Sequence, residues 1–441
     1  MKSLRNPIRL VPSLFLLAIT IGTVLLSLPI ATAEGTPAPF LTALFTATSA
    51  VAVTGLVVVD TGTYWSPFGQ VAILLMFQIG GLGIMTAATL FGLIAGRGFG
   101  LHDRIATQVE RGRLERGDAL SVLKLVLGVT IAVEASVATI LAVRMASYDM
   151  SVGNAVWHGV FHSISAFNNA GFSTHADSVM GYQADPLILV PIMVAITLGA
   201  IGFPVLQDLR DKRLEWRRWS LHSKVTVYGS LALLALGFVA ILVMEWSNAA
   251  TLGPMGVGTK LLNAAFHSVM PRTAGFNSVD VGGFHDQTLM VNYLLMFIGG
   301  GSAGTAGGIK VTTFVVLFAI VLSEVLGHRD AGLFQRRFGH ELERQALTVT
   351  VLSASLVFAA TTYIASITTL PLTDILFECI SAFATVGLST GITADLPPSA
   401  QVVIVLLMFI GRVGTITFAT ALAVGRTPQL YRYPKENLIV G

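Results

Sequence analysis

The chain has 441 residues, of which 54% are hydrophobic and only 12% are charged, whereas about 25% of the residues of a soluble domain are charged. This composition excludes an ordinary soluble domain and indicates a polytopic membrane protein. The single cysteine, Cys379, excludes a disulfide framework within the chain. The net charge of +3 needs an explanation from membrane topology before one from nucleic-acid binding.

The first apolar run, from Leu10 to Ile30, follows three basic residues. About 20 apolar residues span a bilayer, so we predict a membrane helix here. A signal peptide is the alternative, because residues 31–33 resemble a cleavage site. The run is longer than the roughly 7–15 residues of a signal-peptide core, and its removal would leave the first repeat without the outer helix that the others have.

The following segments alternate between lengths that can cross a membrane and lengths that cannot. Residues 39–50 are too short to cross and can only enter and return, whereas residues 67–95 span it. The same order recurs at 122–143, 154–166 and 186–206, at 222–245, 259–270 and 288–323, and at 347–368, 372–384 and 399–424. We therefore predict an all-α polytopic membrane protein with eight spanning helices and four pore loops around a pseudo-fourfold pore.

A glycine motif follows each short segment, and the four glycines align the four copies of the repeat. Ser-Ala stands six and five residues before Gly55, Gly171 and Gly387, while the copy at Gly275 shares Phe-His-Ser and Ala-Gly-Phe with the second. Leu-Leu-Met-Phe begins 19 residues after the first, third and fourth glycines. Such regular spacing indicates internal repeats. We place these repeats at 1–96, at 97–207, at 208–324 with a glycine-rich intramembrane segment, and at 325–441 with the C-terminal tail.

Glycines at these positions suit a cation pathway. A cation that enters hydrocarbon must exchange its water shell for fixed oxygens, and backbone carbonyls around one axis supply them. Consecutive carbonyls can face the axis only if one residue takes a positive φ, which costs a residue with a Cβ about 1–2 kcal/mol. For a single copy, relief of crowding between helices is the alternative.

Basic residues cluster in the segments that connect the repeats, especially at 97–124 and 210–224, whereas many aspartates fall on the other side. The positive-inside rule then predicts cytoplasmic N- and C-termini, and we expect the membrane to be a bacterial plasma (inner) membrane. Binding of lipid headgroups by the basic segments is compatible with this topology.

The glycine motifs and the run at 299–308 resemble the Ktr/Trk/HKT superfamily of potassium transporters over essentially the whole chain, and most resemble its Ktr-type membrane (KtrB-like) subunit. The resemblance implies a homodimer with one pore per protomer and a cytoplasmic ring of nucleotide-binding regulatory subunits (RCK-type, KtrA-like). It implies no covalent cofactor, K⁺ as the permeant ion, Na⁺ as a candidate activator, and nucleotide only through the partner. Sodium-preferring relatives often have serine in the first loop, so Gly55 favours potassium.

The resemblance also implies which residues form the selectivity filter, with K⁺ held by their backbone carbonyls. These are Val53, Thr54, Gly55, Asn169, Ala170, Gly171, Thr273, Ala274, Gly275, Thr385, Val386 and Gly387.

The glycine run interrupts the helix predicted at 288–323. One glycine costs a helix about 1 kcal/mol relative to alanine, so the six glycines of this run should break it. In the resembling family this loop gates the pore, and close helix packing through small residues is the alternative. The candidate gate residues are Gly299, Gly300, Gly301, Ser302, Ala303, Gly304, Thr305, Ala306, Gly307, Gly308, Lys310 and Arg412.

Other buried polar residues have two interpretations each. Glu134 is a proton or ion site or a partner for a neighbouring helix. We interpret His162, His267 and Glu378 mainly as hydrogen-bonding supports of the filters rather than as ion ligands. Arg272 either repels cations or braces the third loop, and we favour the brace. The sequence reveals no metal cluster, phosphate loop or catalytic constellation.

Three classes of function remain open from the sequence. A channel-like potassium transporter is the leading one, with a Na⁺-permeable transporter of the same fold as its alternative. A secondary transporter with inverted repeats fits less well, because these repeats all start on the inside. An intramembrane enzyme would need a catalytic pair that the sequence does not contain.

Overall fold

Helices account for nearly all the regular structure in the computed structural model, which describes residues 7–95, 116–148, 150–213, 215–328 and 330–424. The helices are α1 (Pro7–Leu26), α2 (Phe40–Val51), α3 (Thr61–Tyr64), α4 (Pro67–Ala95), α5 (Arg116–Ala146), α6 (Val152–Phe167), α7 (Pro186–Ile201), α8 (Phe203–Lys212), α9 (Leu221–Glu245), α10 (Val257–Val269), α11 (Asp286–Phe297), α12 (Val311–Val325), α13 (His340–Ile367), α14 (Leu372–Ala384) and α15 (Pro398–Val424). Strands β1 (Gly332–Leu333) and β2 (Arg336–Arg337) form a small antiparallel hairpin that the sequence did not predict.

Several described helices have the length and composition of membrane spans. Residues 124–146 of α5, together with α9 and α13, are each long and apolar enough to cross a bilayer. Helices α7 and α8, bent at their junction, form either a fourth, broken span or a re-entrant loop. Helices α1, α4, α12 and α15 contribute shorter apolar stretches within the described residues. Exposed apolar side chains such as Val143, Val243 and Phe358 suit a lipid-facing surface. The chain is a helical membrane protein, and the count of eight spans remains a prediction.

The short helices pack in a cyclic order. The first, second and fourth short helices lie beside both long helices of their own repeat, as α2 does between α1 and α4, and α10 lies beside α9. The later three also contact a helix of the preceding repeat: α6 contacts α4, α10 contacts α7, and α14 contacts α11. Helix α15 closes the cycle by packing against α2. The four loops that follow the short helices are thereby brought to one axis.

One predicted span is interrupted. The sequence predicts a continuous helix at 186–206, but the chain bends by 97° between α7 and α8. Gly202 adopts a φ of +92°, and Pro204, in the first turn of α8, has no N–H to continue the hydrogen bonds of α7. A Cβ on Gly202 would lie 2.3 Å from the carbonyl oxygen of Ser302. The break makes room for the glycine-rich segment.

Candidate cation site

The four motif glycines form a closed ring of backbone. All four have positive φ, at +90°, +71°, +69° and +90° in chain order. A Cβ built on any of these glycines would collide with a carbonyl oxygen of the next loop. On Gly55 it would lie 2.4 Å from the Ala170 oxygen, and on Gly171 it would lie 2.9 Å from the Ala274 oxygen. On Gly275 it would lie 2.6 Å from the Val386 oxygen, and on Gly387 it would lie 2.2 Å from the Thr54 oxygen. Each loop thus touches the next, and the fourth touches the first. No position in this ring has room for a side chain.

A second left-handed residue precedes each glycine by two positions. Val53, Asn169, Thr273 and Thr385 have φ of +55°, +59°, +70° and +50°. Such backbone costs a residue with a Cβ of the order of 1–3 kcal/mol and persists only where the surroundings fix it. Sequence reasoning placed a positive φ only on glycine. Val53, Thr273 and Thr385 are residue types that rarely adopt this conformation, whereas asparagine tolerates it, so Asn169 alone carried a visible signal.

Serines of the short helices hold the loops in place. Ser49 Oγ accepts a hydrogen bond from the Gly55 N–H at 3.1 Å, and Ser381 Oγ accepts one from the Gly387 N–H at 3.2 Å. Ser165 Oγ donates to the Phe172 carbonyl at 2.8 Å. The Ser-Ala motif therefore marks the residue that ties each loop to its helix. The third loop lacks the serine.

The ring region contains buried polar atoms without partners. Among the described residues, the hydroxyls of Thr54, Thr273 and Thr385 and the Nδ2 of Asn169 have no hydrogen-bond partner. Buried polar groups are normally paired with protein, water or ions. Carbonyl and hydroxyl oxygens are the ligands that hard cations prefer, so the donor set suits a dehydrated alkali cation.

The polar side chains of His162, His267 and Glu378, on the short helices that precede the loops, form hydrogen bonds with neighbouring side chains. His162 Nε2 lies 2.9 Å from Ser173 Oγ, and His267 Nε2 lies 3.2 Å from Asn292 Oδ1. Glu378 accepts a hydrogen bond from the Thr393 hydroxyl. These contacts agree with the interpretation that the three residues support the loops.

Glu134 joins a network on the second loop. Its carboxylate accepts hydrogen bonds from Gln78 Nε2 and from Asn168 Nδ2, both at 3.2 Å. Asn168 directly precedes the left-handed Asn169. Of the two interpretations of Glu134, the contacts favour pairing with neighbouring helices.

Sequence reasoning missed a cluster of three histidines. His158, His162 and His175 place one potential ligand nitrogen each within 4.8 Å of the others. Burial and the neighbouring His158 lower the pKa of His175 to about 4, so its imidazole is neutral. The spacing of His158 and His162, four residues apart on one helix, was a visible signal. The position of His175 depends on how the loop folds back.

The glycine-rich segment is a loop, as predicted, between α11 and α12. The loop is closed at its base, where the Gly299 N–H donates to Ile309 at 2.8 Å and the Val311 N–H donates to Gly300 at 3.0 Å. It docks on the break between α7 and α8 through hydrogen bonds to carbonyl oxygens: the Gly301 N–H donates to Ala200 at 2.8 Å.

The loop lies directly against the glycine ring. Thr305 Oγ1 donates to Asn169 Oδ1 at 2.8 Å. A Cβ on Gly307 would lie 2.0 Å from Thr385 Oγ1. The glycine-rich loop thus contacts the second and fourth ring loops at their left-handed residues.

Basic side chains bind the carbonyl oxygens of this loop. Lys310 Nζ donates to Ala306 at 2.6 Å, and Arg412 Nη1 donates to Thr305. Arg412 is only 2% exposed. Its Nε and Nη2 are buried without a partner among the described residues. Arg412 therefore binds the glycine-rich loop, and it is incompletely paired there.

Arg272 binds the base of the loop. It donates to the Gly299 carbonyl at 3.1 Å and to the Ser230 carbonyl at 3.2 Å. These contacts agree with the bracing role rather than with cation repulsion.

A helical membrane chain whose four loops meet in a closed ring of backbone has an architecture suited to a membrane cation transport protein. The TrkH cation transport protein family model matches residues 6–429. The chain belongs to this family, which confirms the resemblance found in the sequence. The family transports cations, so the chain is a transporter and not an enzyme.

Several characterised proteins are similar to this chain. Ktr system potassium uptake protein B of Bacillus subtilis is 40% identical over 428 residues, which cover 97% of this chain and 95% of that protein. Potassium/sodium uptake protein NtpJ of Enterococcus hirae is 34% identical and covers 99% of this chain and 97% of its own length. The crystal structure of the potassium transporter TrkH from Vibrio parahaemolyticus has the same fold, with a TM-score of 0.71 at 19% identity over 96% of this chain and 86% of that one.

Replacing Ser381 with alanine is expected to destabilise the protein, because the Gly387 N–H loses its side-chain acceptor. The expected cost is about 1–3 kcal/mol for a buried donor left unpaired, measured as a lower melting temperature of the purified protein in detergent. Ser355→Ala on α13 is the matched control, because the exposed Ser355 hydroxyl bonds only its own helix. Equal melting temperatures of the two variants would contradict the supporting role of Ser381.

Proposed function

We propose that the chain is the membrane subunit of a potassium-uptake system and conducts K⁺ through the four glycine loops. The observation that carries this proposal is the closed ring in which each glycine faces the carbonyl oxygen of the next loop. The names of similar proteins, potassium uptake protein B among them, support the choice of ion. Uptake of K⁺ by liposomes that contain the purified chain tests the proposal directly.

In this proposal the ring is the selectivity filter. A K⁺ ion loses its water and is held by carbonyl oxygens of Val53–Gly55 and the three corresponding segments, the residues that the resemblance implied. Fixed oxygens compensate for dehydration only if the loops keep their spacing. The crowded glycines and the serine supports account for that spacing.

The glycine-rich loop is the proposed gate. It lies against the filter loops and is held by Lys310 and Arg412. A fixed positive charge next to the pathway opposes the passage of a cation, so conduction requires the loop to move away. The docking of the loop on the α7–α8 break provides a second contact that such a movement must release.

A Na⁺-permeable transporter of the same fold is the second candidate. Its specific support is NtpJ, which is named as a potassium/sodium uptake protein and is 34% identical to this chain. Flux of K⁺ and of Na⁺ measured in the same liposomes separates the two candidates. Na⁺ that stimulates K⁺ flux without entering itself would identify it as an activator.

We further propose eight spans, cytoplasmic termini in a bacterial inner membrane, a homodimer, and a cytoplasmic RCK-type ring that binds the nucleotide. The relatives named as proteins of a Ktr system support a multi-subunit assembly. We expect the basic segments at 97–124 and 210–224 to dock the ring, and residues 97–115 of the first lie outside the described residues. In the other, Arg213, Arg217 and Arg218 are exposed.

Gly387→Ser and Gly55→Ser are expected to weaken the preference for K⁺ over Na⁺, because the added side chain displaces the neighbouring carbonyl. The K⁺/Na⁺ flux ratio in liposomes should fall at least about tenfold, which corresponds to 1.4 kcal/mol. Gly171→Ser is the internal comparison and should lose the least selectivity. A Cβ on Gly171 would lie 2.9 Å from the nearest carbonyl oxygen, whereas a Cβ on Gly387 would lie 2.2 Å from its nearest carbonyl oxygen. Unchanged selectivity in both Gly55→Ser and Gly387→Ser would exclude these loops as the filter.

Arg412→Ala, or a shortened loop at 300–307, is expected to raise K⁺ flux several-fold without the regulatory partner and to leave selectivity intact. The reason is that the variants remove the charge, or the loop itself, from the pathway. Flux is normalised to folded protein. Arg272→Ala is the control, because this side chain binds the loop only at its base. If flux per folded protein stays at the wild-type level or falls in both gate variants, the gate does not lie here.

Reversing Arg213, Arg217 and Arg218 together to glutamate is expected to abolish copurification with a cytoplasmic regulatory ring, because charge complementarity steers such docking. Arg336 and Arg337, reversed to glutamate on the β1–β2 hairpin, control for a general effect of charge. Undiminished binding by the triple variant would exclude this segment as the docking site.

A further inference from the structure

The histidine cluster has the composition and position of a metal site that the transport function does not use. His158 and His162 lie four residues apart on α6 and so project from the same face of that helix. His175 follows the second glycine loop and stacks on both, with ring centroids 4.5 Å from His158 and 5.1 Å from His162. Potential ligand nitrogens of the three residues lie within 4.8 Å of one another.

Hydrogen bonds fix which nitrogen of His162 is free to bind a metal. Its Nδ1 lies 2.7 Å from the carbonyl oxygen of His158, so Nδ1 carries the hydrogen and donates it. Nε2 therefore carries the lone pair. A backbone carbonyl that accepts from the second ring nitrogen is the usual support of a metal-bound histidine, because it sets the tautomer and the ring orientation.

The other two histidines also have a nitrogen to offer. The Nε2 of His175 is buried and has no hydrogen-bond partner among the described residues. His158 uses Nδ1 to pair with Thr174 Oγ1 at 2.5 Å, which leaves its Nε2 for a ligand. An unpartnered buried nitrogen is costly, and a bound cation would satisfy the one on His175.

The neighbouring groups favour a cation in this position. Asp177, two residues after His175 in the chain, places a carboxylate in the same loop. Ser173 Oγ lies 2.9 Å from His162 Nε2 and 3.1 Å from the Ser178 carbonyl oxygen. Because a hydroxyl has one hydrogen, it can donate to the Ser178 carbonyl and leave the His162 nitrogen to the metal. His158 and His175 are only partly buried, so the cluster is accessible from solvent.

We propose that His158, His162 and His175 bind a transition-metal ion of the Zn²⁺ class behind the second glycine loop. Three neutral imidazoles with an open fourth position for water are a familiar Zn²⁺ ligand set, with Zn–N distances of about 2.0–2.1 Å. Binding requires the stacked rings to turn so that the three nitrogens face one point. The transported alkali cations prefer oxygen ligands and do not compete for this site.

A bound ion would join two parts of the second repeat. Two of its ligands lie on α6, which leads into the second glycine loop, and the third lies four residues beyond Gly171. The metal would therefore cross-link the chain on either side of that loop. The third repeat has His267 at the position equivalent to His162, but there the imidazole pairs with Asn292, so the proposed site belongs to the second repeat alone.

The test uses the full-length protein, purified in detergent and freed of metal, with Zn²⁺ alone as the probe. Titration against a Zn²⁺ indicator should give one high-affinity ion per chain, and Zn²⁺ should raise the melting temperature. His175→Ala and His158→Ala should each lower the Zn²⁺ affinity at least about 100-fold. Removing a residue that only hydrogen-bonds to a metal ligand costs about 10–100-fold in affinity, so the loss of a ligand itself should reach or exceed the upper end of that range. His175→Cys should retain binding, because thiolate is also a Zn²⁺ ligand.

The exposed His285 provides the matched control, since it lies outside the cluster, and His285→Ala should bind Zn²⁺ like the wild type. The competing explanation is that the three stacked imidazoles only stabilise the loop. In that case the melting temperature of His175→Ala falls, while Zn²⁺ neither binds tightly to the wild type nor stabilises it. That result, or equal Zn²⁺ affinity in the wild type, His158→Ala and His175→Ala, would overturn the proposal.

Discussion

Four backbone segments approach one another so closely that none of them can carry a side chain at its glycine, and the rest of the structure serves this arrangement. Irregular backbone at membrane depth is tolerated only when it is buried in protein or lines a polar cavity. Here each segment follows a short helix packed against long helices of two repeats. Backbone hydrogen bonds to the end of that helix satisfy an N–H group in each loop, and serine side chains accept from the glycine N–H groups of the first and fourth loops. In the proposed filter the carbonyls thereby remain for an ion.

The ring also explains where conformational strain is placed. Each loop has two left-handed residues, and only one of the two is glycine. The strain at Val53 and its three counterparts has no local cause in the sequence. Contacts between loops and the packed short helices impose it, and an isolated loop would relax. The proposed filter is therefore a property of the assembled ring rather than of any one loop.

The repeats share a frame but differ in what surrounds it. The third repeat replaces part of a long helix with a glycine-rich loop, and the second supplies the bend at Gly202 on which that loop docks. Arg412 comes from the fourth repeat and binds the same loop. A charge buried in a membrane helix costs about 2.5–3.5 kcal/mol on insertion scales, and loop carbonyls offset part of that cost. The features that distinguish the second, third and fourth repeats thus meet at the glycine-rich loop.

The sequence by itself determined the parts that depend on local composition. Apolar run lengths predicted Pro67–Ala95 and Leu372–Ala384 to the residue, and the glycine frame located all four ring positions, because neither signal depends on distant contacts. Only the tertiary structure decided the docking of the glycine-rich loop on the break at Gly202, the binding of Arg272 to the loop base, and the approach of His175 to two histidines on α6. Each of these joins residues from separate segments, and their proximity depends on how the loops fold back between packed helices, which periodicity and composition do not encode.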